Sequence, residues 1–167
     1  MARVLAMFPG QGSQYVGMGK KLLEEFPYAK RIFEEAEESA KIKIRKLCFD
    51  GPDSELLLTA NTQPCILTVS IGVWQVLKEE VGLAPSLFAG HSLGEYSALV
   101  ASEKMSLTDA SFLVRQRGEA MQKAVPVGVG AMAAVLKYEG EKLEVLCKKL
   151  SREHLSVMAG VTPAGKL

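Results

Sequence analysis

The run Gly90-His91-Ser92-Leu93-Gly94 follows the pattern G-x-S-x-G. In this pattern the serine occupies a sharp turn between a strand and a helix. A free hydroxyl is a weak nucleophile, so activation requires such a turn together with donors that stabilise an oxyanion. The backbone N–H of Leu93, the residue after the serine, is one such donor. The pattern therefore predicts Ser92 as the nucleophile of an acyl-transfer site.

The segments around the serine have the order that this turn requires. Residues 86–90 are a short apolar run that predicts a strand, and residues 93–100 follow a helical pattern. Near the start of the chain, residues 3–8 predict a buried strand that ends in a loop with two glycines, residues 9–14. Alternating strands and helices favour an α/β fold with a mainly parallel sheet, because parallel neighbours need helical crossovers.

Apolar periodicity predicts further helices before the serine. Residues 15–40 fit two helices divided by Pro27, which suits the first turn of the second. Asp53 is expected to cap a short helix. Residues 61–64 then open a strongly apolar helix that Gly82 ends.

After the serine, another helix is expected to begin at a cap, either Ser106 or Thr108. Its inward-facing residues are predicted to be Ala110, Leu113, Val114 and Met121. The glycine-containing run 126–130 breaks the helical pattern and predicts a hinge. Beyond it, a β-α-β unit is predicted, with a strand at 131–136, a helix at 141–150 and a strand at 155–159.

Length and composition restrict the class of protein. A domain near 167 residues buries about 70% of its unfolded surface, and a hydrophobic content of 48% is ordinary for a soluble protein. With a formal net charge of +1, the chain as a whole does not attract nucleic acid or anionic lipid electrostatically. The apolar stretch at the N-terminus stops at Pro9-Gly10, too short for a signal peptide or a membrane span. We therefore expect a cytoplasmic protein with no nucleic-acid or membrane partner.

The cysteines do not suggest a disulfide framework or a metal site. Cys48, Cys65 and Cys147 are an odd set without CxxC spacing. Reduced thiols in the core are the expected state, since free cysteine is among the most buried residue types.

Two long motifs carry a family resemblance. The segments Phe8-Pro9-Gly10-Gln11-Gly12-Ser13-Gln14 and Gly90-His91-Ser92-Leu93-Gly94-Glu95-Tyr96 together strongly resemble the malonyl-CoA:acyl-carrier-protein transacylases. The likeness continues through residues 61–64, 117–122 and 130–134. It implies an α/β-hydrolase-like large subdomain, residues 1–127, followed by an incomplete ferredoxin-like β-α-β small subdomain, residues 128–167.

The resemblance also implies a two-step reaction in fatty-acid biosynthesis. Ser92 would attack malonyl-CoA and coenzyme A would leave, which forms a malonyl-serine ester as a covalent intermediate. The phosphopantetheine thiol of acyl carrier protein would then take the malonyl group. Malonyl-CoA is thus the substrate, coenzyme A a product and acyl carrier protein the partner, and no metal or bound cofactor is expected.

Further site residues follow from the same resemblance. Gln11 would lend its backbone N–H to the oxyanion hole beside that of Leu93. Arg117 matches the arginine that pairs with the malonyl carboxylate, which a planar guanidinium grips at both oxygens. Gln63 matches a position lining the pocket, where its amide would hold a loop or the substrate, with helix capping as the alternative. Met121, one helical turn after Arg117, would pack the wall of the acyl pocket.

Neither histidine is expected to be the general base. His91 directly precedes Ser92, and neighbouring strand side chains point to opposite faces, so it is assigned a supporting role near the pocket. His154 lies in a charged segment and is expected at the surface. The catalytic histidine of the family has no matching position here, and residues 159–167 depart from the family pattern. We therefore expect a truncated or frame-shifted chain that is slow or inactive as it stands.

Two other functions stay open at the level of sequence. A serine esterase or thioesterase would use the same turn with water as the acceptor, but it has no need of Arg117 or Gln11. A folded remnant that binds acyl-CoA or carrier protein without turnover would explain the unmatched histidine. Arg115, two residues before Arg117, is expected to be an ordinary solvated residue.

Overall fold

The structure, a computed structural model, describes residues 4–125, 128, 135 and 139–153. The chain divides into two compact units, residues 1–129 and 130–167, and each is considered by itself. Within the described ranges, no helix is both long and apolar enough to cross a membrane.

A parallel sheet carries the loops of interest in the first unit. Strand β1 (Leu5–Phe8) pairs with strand β2 (Leu87–Gly90), so that Leu5 lies opposite Leu87 and Phe8 lies opposite Gly90. Because the two strands run in the same direction, their carboxyl ends lie side by side. The loops that follow the two strands therefore begin at one edge of the sheet.

Helices connect and follow these strands. Their bounds are α1 (Lys20–Glu25), a 3-10 turn (Pro27–Ala29), α2 (Lys30–Ala40), α3 (Ile44–Asp50), α4 (Asp53–Leu56), α5 (Thr59–Val81), α6 (Gly94–Ala101) and α7 (Leu107–Ala124). The core lies where α2, α5 and α7 pack together, and Phe33, Leu67 and Val114 are fully buried there. A parallel strand pair joined by a helical crossover confirms the predicted α/β class.

Helix α5 ends as predicted but begins earlier than predicted. Gly82 follows its last turn with φ 62°, the left-handed conformation that glycine adopts without penalty. The helix begins at Thr59, so Pro64 lies in its interior. Since proline has no N–H, the carbonyl of Ala60 loses its helical partner. Arg115 supplies a donor instead, with Nη1 at 3.0 Å from the Ala60 oxygen.

Two local predictions are wrong, and one helix was not predicted. Asp53 does not cap α4, because Pro52 occupies the cap position and leaves Asp53 as the first helical residue. Leu113 is 41% exposed, since the adjacent Val114 faces the core and neighbouring helical residues point about 100° apart. Helix α3 was not predicted, because seven residues with two buried side chains give too short a pattern to recognise.

Other local predictions are confirmed. Pro27 opens the turn between α1 and α2, and Ser106 rather than Thr108 caps α7, with its Oγ accepting from the Asp109 N–H at 3.0 Å. Cys48 and Cys65 are free thiols in the core. Hydrogen bonding to Cys48, followed by burial, raises the pKa of the Cys65 thiol.

The described part of the second unit is mainly one helix, α8 (Gly140–Glu153). It confirms the helix predicted at 141–150, and it places Cys147 in a half-buried position rather than a fully buried one. Apart from Val135, the predicted strands 131–136 and 155–159 lie outside the described residues. The subdomains assigned to 1–127 and 128–167, including the ferredoxin-like unit, stay predictions.

Candidate active site

Ser92 lies in the sharp turn between β2 and α6. Its φ is 55°, in the left-handed region that residues other than glycine rarely adopt. The flanking glycines permit the close contacts of this turn. A Cβ on Gly90 would lie 1.9 Å from the carbonyl carbon of Gly94, and a Cβ on Gly94 would lie 2.3 Å from the Phe8 oxygen. Strand, turn and helix therefore touch only because both glycines lack a side chain.

Two backbone amides next to this turn have no hydrogen-bond acceptor among the described residues. They are the N–H of Leu93, at the start of α6, and the N–H of Gln11, in the loop after β1. The two loops are joined at their base, where the His91 N–H donates to the Phe8 oxygen at 3.2 Å. Unpartnered N–H groups at a helix start favour negative charge, as an oxyanion requires.

The side chain of Gln11 ties its loop to α5. Its Nε2 donates to Oγ1 of Thr59, the first residue of that helix, at 3.2 Å. Within the loop, the Gly12 N–H donates to Oε1 of Gln14 at 2.8 Å. Ser13 Oγ also donates to the Gly10 oxygen at 2.9 Å, so the loop has two internal hydrogen bonds and one tether to a helix.

Arg117 contacts the candidate nucleophile directly. Its Nη2 donates to Oγ of Ser92 at 2.9 Å, and its Nη1 donates to Oε1 of Gln63 at 2.7 Å. Within the described part of the chain, Arg117 forms no ion pair with Asp or Glu, in contrast to Arg115. Its hydrogen-bond partners among the described residues are therefore neutral, and its positive charge is still available to pair with a carboxylate.

Gln63 is fully buried, and both ends of its amide are in use. The oxygen accepts from Arg117, and Nε2 donates to Sδ of Met121 at 3.2 Å. Because Gln63 is the fifth residue of α5, it does not cap the helix. The structure thus places it between Arg117 and Met121.

Arg115 is not the solvated residue that was expected. Its side chain is 22% exposed, and Nε pairs with Oε1 of Glu119 at 2.7 Å. Its Nη1 reaches the Ala60 oxygen and also Oδ1 of Asn61, at 2.8 Å. The expectation is wrong because Pro64 leaves the Ala60 carbonyl without a helical donor, and Arg115 supplies one.

Sequence reasoning missed the residues that hold α5 against α7. The Ala60 N–H donates to Oε1 of Gln122 at 3.3 Å, and a Cβ on Gly118 would lie 2.7 Å from the Thr59 oxygen. Because Ala60 and Gln122 are 62 residues apart, no local pattern reveals such a contact. The one available signal was Gly118, since glycine weakens a helix interior and is expected there where backbones approach closely.

Within the described residues, His91 forms no hydrogen bond with the side chain of Ser92. His91 is exposed, and its ring lies beside the loop after β1, where a Cβ on Gly10 would lie 2.9 Å from Nδ1. His154 lies outside the described residues. Among the residues that are described, the hydrogen-bond partner of Ser92 Oγ is Arg117, which only donates. Within that part of the chain, no group accepts a hydrogen bond from the hydroxyl.

Known proteins with a similar sequence or structure are acyl transferases. The chain is 48% identical over 168 residues to the malonyl CoA-acyl carrier protein transacylase of Bacillus subtilis (strain 168), covering 100% of this chain and 53% of the relative. A malonyl-CoA:acyl carrier protein transacylase from Xanthomonas oryzae pv. oryzae superposes with a TM-score of 0.82 at 46% identity, over 87% of this chain and 46% of that one. A malonyl-transacylase in complex with a type II PKS acyl-carrier protein gives a TM-score of 0.83 at 41% identity, over 91% and 49%.

These relatives are longer than the chain, which spans about half the length of each. Residues 6–163 match the acyl transferase domain. That range includes Gln11, Gln63, Ser92 and Arg117, whose positions in the site are given above. The chain belongs to the acyl transferase domain family.

Proposed function

We propose that the chain transfers a malonyl group from malonyl-CoA to the phosphopantetheine thiol of acyl carrier protein, in fatty-acid biosynthesis. The observation that carries the proposal is the 2.9 Å contact between the Arg117 guanidinium and the Ser92 hydroxyl. A cation without an acidic partner, placed beside a nucleophile, suits an acyl group that ends in a carboxylate. Malonyl has that carboxylate and acetyl does not.

In the first half-reaction, Oγ of Ser92 attacks the thioester carbonyl of malonyl-CoA. The oxyanion accepts hydrogen bonds from the amides of Gln11 and Leu93. The carbonyl then re-forms as the C–S bond breaks, and the serine proton passes through a base to the departing sulfur of coenzyme A. This base is not among the described hydrogen-bond partners of Ser92, and the family resemblance implies a histidine without a match in these residues.

In the second half-reaction, the phosphopantetheine thiol attacks the malonyl-serine ester. The same amides hold the second oxyanion, and the proton of the attacking thiol passes through the base to Oγ of Ser92 as the ester bond breaks. The names of the relatives, malonyl CoA-acyl carrier protein transacylases, support this acceptor. Met121 is assigned to the wall of the acyl pocket and His91 to a supporting role at its edge. The cytoplasmic location expected from the sequence stays a prediction.

One observation favours a second candidate, a binder of acyl-CoA that does not turn over. Among the described residues, none accepts a hydrogen bond from Ser92 Oγ. In comparable serine sites, loss of the base lowers the turnover rate by up to about 10⁶-fold. The oxyanion hole and substrate binding alone then leave a rate roughly 10³–10⁴ times that of the reaction in water.

The test is to incubate the purified chain with radiolabelled malonyl-CoA and to follow the label first on the protein and then on added acyl carrier protein. We expect slow labelling that is lost in Ser92→Ala, that persists in water and that a pantetheine thiol discharges. Release of free malonate in the absence of thiol would favour the esterase alternative. Binding of malonyl-CoA without any labelling would contradict the transferase and favour the binder.

A further inference from the structure

We propose that the first five residues of α5 position both parts of the site. Thr59 holds the oxyanion amide of Gln11, and Gln63 holds the guanidinium of Arg117. The inference rests on the proposed function, because it assigns positioning residues to that reaction. Thr59 and Gln63 are four residues apart on one helix, so their side chains lie on the same face.

Two hydrogen bonds hold the loop that carries Gln11, one from the Gly12 N–H to Gln14 and one from the Ser13 hydroxyl to the Gly10 oxygen, but neither involves Gln11 itself. Gln11 lies between Gly10 and Gly12, and Gly12 has φ 107°, a conformation that glycine adopts freely. In the described chain, the Gln11 side chain has Thr59 Oγ1 as its hydrogen-bond acceptor, at 3.2 Å. This bond therefore orients Gln11, whose backbone N–H has no acceptor among the described residues.

Thr59 is itself anchored to the helix that carries Arg117. Gly118, the residue after Arg117, lets α7 approach the Thr59 carbonyl so closely that a Cβ would lie 2.7 Å from its oxygen. The next residue of α5, Ala60, is held at its N–H by Gln122 and at its carbonyl by Arg115. Residues 59 and 60 are thus fixed against α7 by two hydrogen bonds and one close backbone contact. The bond between Thr59 and Gln11 then holds the loop in place relative to α7.

Gln63 holds Arg117 because its amide has one satisfactory orientation. Turning the amide over would set its NH₂ group against the guanidinium, donor to donor, and would break the contact with the Met121 sulfur. In the observed orientation, Nη1 of Arg117 is fixed and Nη2 is directed at Ser92. A neutral acceptor also leaves the arginine charge available to a substrate carboxylate.

The two residues should have separable effects on the reaction. An oxyanion forms with every acyl donor, so loss of the Thr59 hydroxyl affects malonyl and acetyl equally. Only malonyl presents a carboxylate, so loss of the Gln63 amide changes the preference between the two donors. General damage to the fold would not produce these two different patterns.

The experiment compares Thr59→Val, Thr59→Ser, Gln63→Leu and Gln63→Glu in the 167-residue chain. Three quantities are measured: NMR order parameters of the Gln11 and Gly12 amides, dissociation constants for malonyl-CoA and acetyl-CoA, and rates of Ser92 acylation by each donor. Thr59→Val should lower both order parameters and slow acylation about three- to tenfold for both donors, as loss of one hydrogen bond predicts, and Thr59→Ser should restore them.

Gln63→Leu and Gln63→Glu should weaken malonyl-CoA binding about tenfold relative to acetyl-CoA, without changing the Gln11 amide. The glutamate variant keeps the size of the side chain, so it tests the role of Gln63 even if the leucine variant folds poorly. Its carboxylate would pair with Arg117 and compete with the malonyl carboxylate.

Thr62→Val is the matched control from the same turn, because the Thr62 hydroxyl donates to the Leu56 oxygen, away from the site. It should lower thermal stability and leave all three quantities unchanged. An unchanged Gln11 order parameter in Thr59→Val would overturn the proposal, as would an unchanged binding ratio in both Gln63 variants. The order parameter and the binding ratio can both be measured without turnover. If the wild-type chain gives no labelled Ser92, that result contradicts the proposed function but not the positioning roles of Thr59 and Gln63.

Discussion

Helix α7 presents two arginines to the start of α5, and their surroundings differ in charge. Arg115 donates to the Ala60 carbonyl and pairs with the carboxylate of Glu119. Arg117 donates to an amide oxygen and a hydroxyl, and within the described chain it meets no carboxylate. Two residues of the same type, on one helix, thus have different partners. The difference supports the proposal that Arg115 stabilises the fold and that Arg117 binds the carboxylate of a substrate.

Replacing Arg117 by alanine should have the largest effect. Charge-assisted hydrogen bonds contribute about 1.5–3 kcal/mol, so the preference for malonyl over acetyl should fall by about ten- to a hundredfold. Lysine should rescue poorly, because a single ammonium does not reproduce the planar fork. The measurement is competition of the two acyl-CoA donors for Ser92, read by mass spectrometry. An equal loss for both donors would mean that Arg117 is structural.

Gly118→Ala tests whether both arginines depend on the same close contact between helices. The added Cβ would lie 2.7 Å from the Thr59 oxygen and the Ala60 Cα, and backbone atoms cannot rotate away. The free energy of unfolding should fall by about 1–3 kcal/mol in chemical denaturation, with weaker malonyl-CoA binding. Alanine normally stabilises a helix interior relative to glycine, so a gain in stability would contradict the contact.

Arg115→Ala should lower stability and leave selectivity unchanged. The substitution removes the donor to the Ala60 carbonyl, which Pro64 already deprives of its helical partner. We expect a loss of about 1–2 kcal/mol in the free energy of unfolding, with the malonyl to acetyl ratio of the wild type. A change of ratio as large as that of Arg117→Ala would remove the distinction between the two arginines.

Glu119→Gln should have the smallest effect. The ion pair with Arg115 is partly exposed, at 22% and 44% of the two side chains, and such pairs contribute about 0–1 kcal/mol. The amide keeps the size of the side chain and an oxygen acceptor, so stability should fall by less than about 1 kcal/mol in the same denaturation assay. A larger fall would show that the carboxylate charge, rather than the Ala60 contact, holds Arg115.

The part of the site that the sequence could predict is the part encoded locally. The turn at Ser92 needs five consecutive residues, and its glycines contact their own neighbours and β1. The contact of Arg117 with Ser92 spans 25 residues, and that of Arg117 with Gln63 spans 54. Neither separation leaves a periodic pattern, so the family resemblance indicated these residues without their contacts.

The start of α5 shows why fold boundaries were also predicted incompletely. A proline near a helix start is expected in the first turn, where its missing N–H has no consequence. Here Pro64 lies further inside, because a side chain from α7 satisfies the carbonyl that the proline leaves unpaired. Such compensation comes from tertiary contacts and is not visible in the segment itself.

The left-handed backbone at Ser92 sets catalysis against stability. A serine at φ 55° is strained by about 1–2 kcal/mol relative to a relaxed residue, and every folded molecule carries this strain, with or without substrate. Glycine at position 92 would adopt the turn without strain, but it has no hydroxyl to react. The residue best suited to the turn is therefore one that removes the proposed nucleophile. Selection for a more stable protein and selection for a reactive one act in opposite directions at this position.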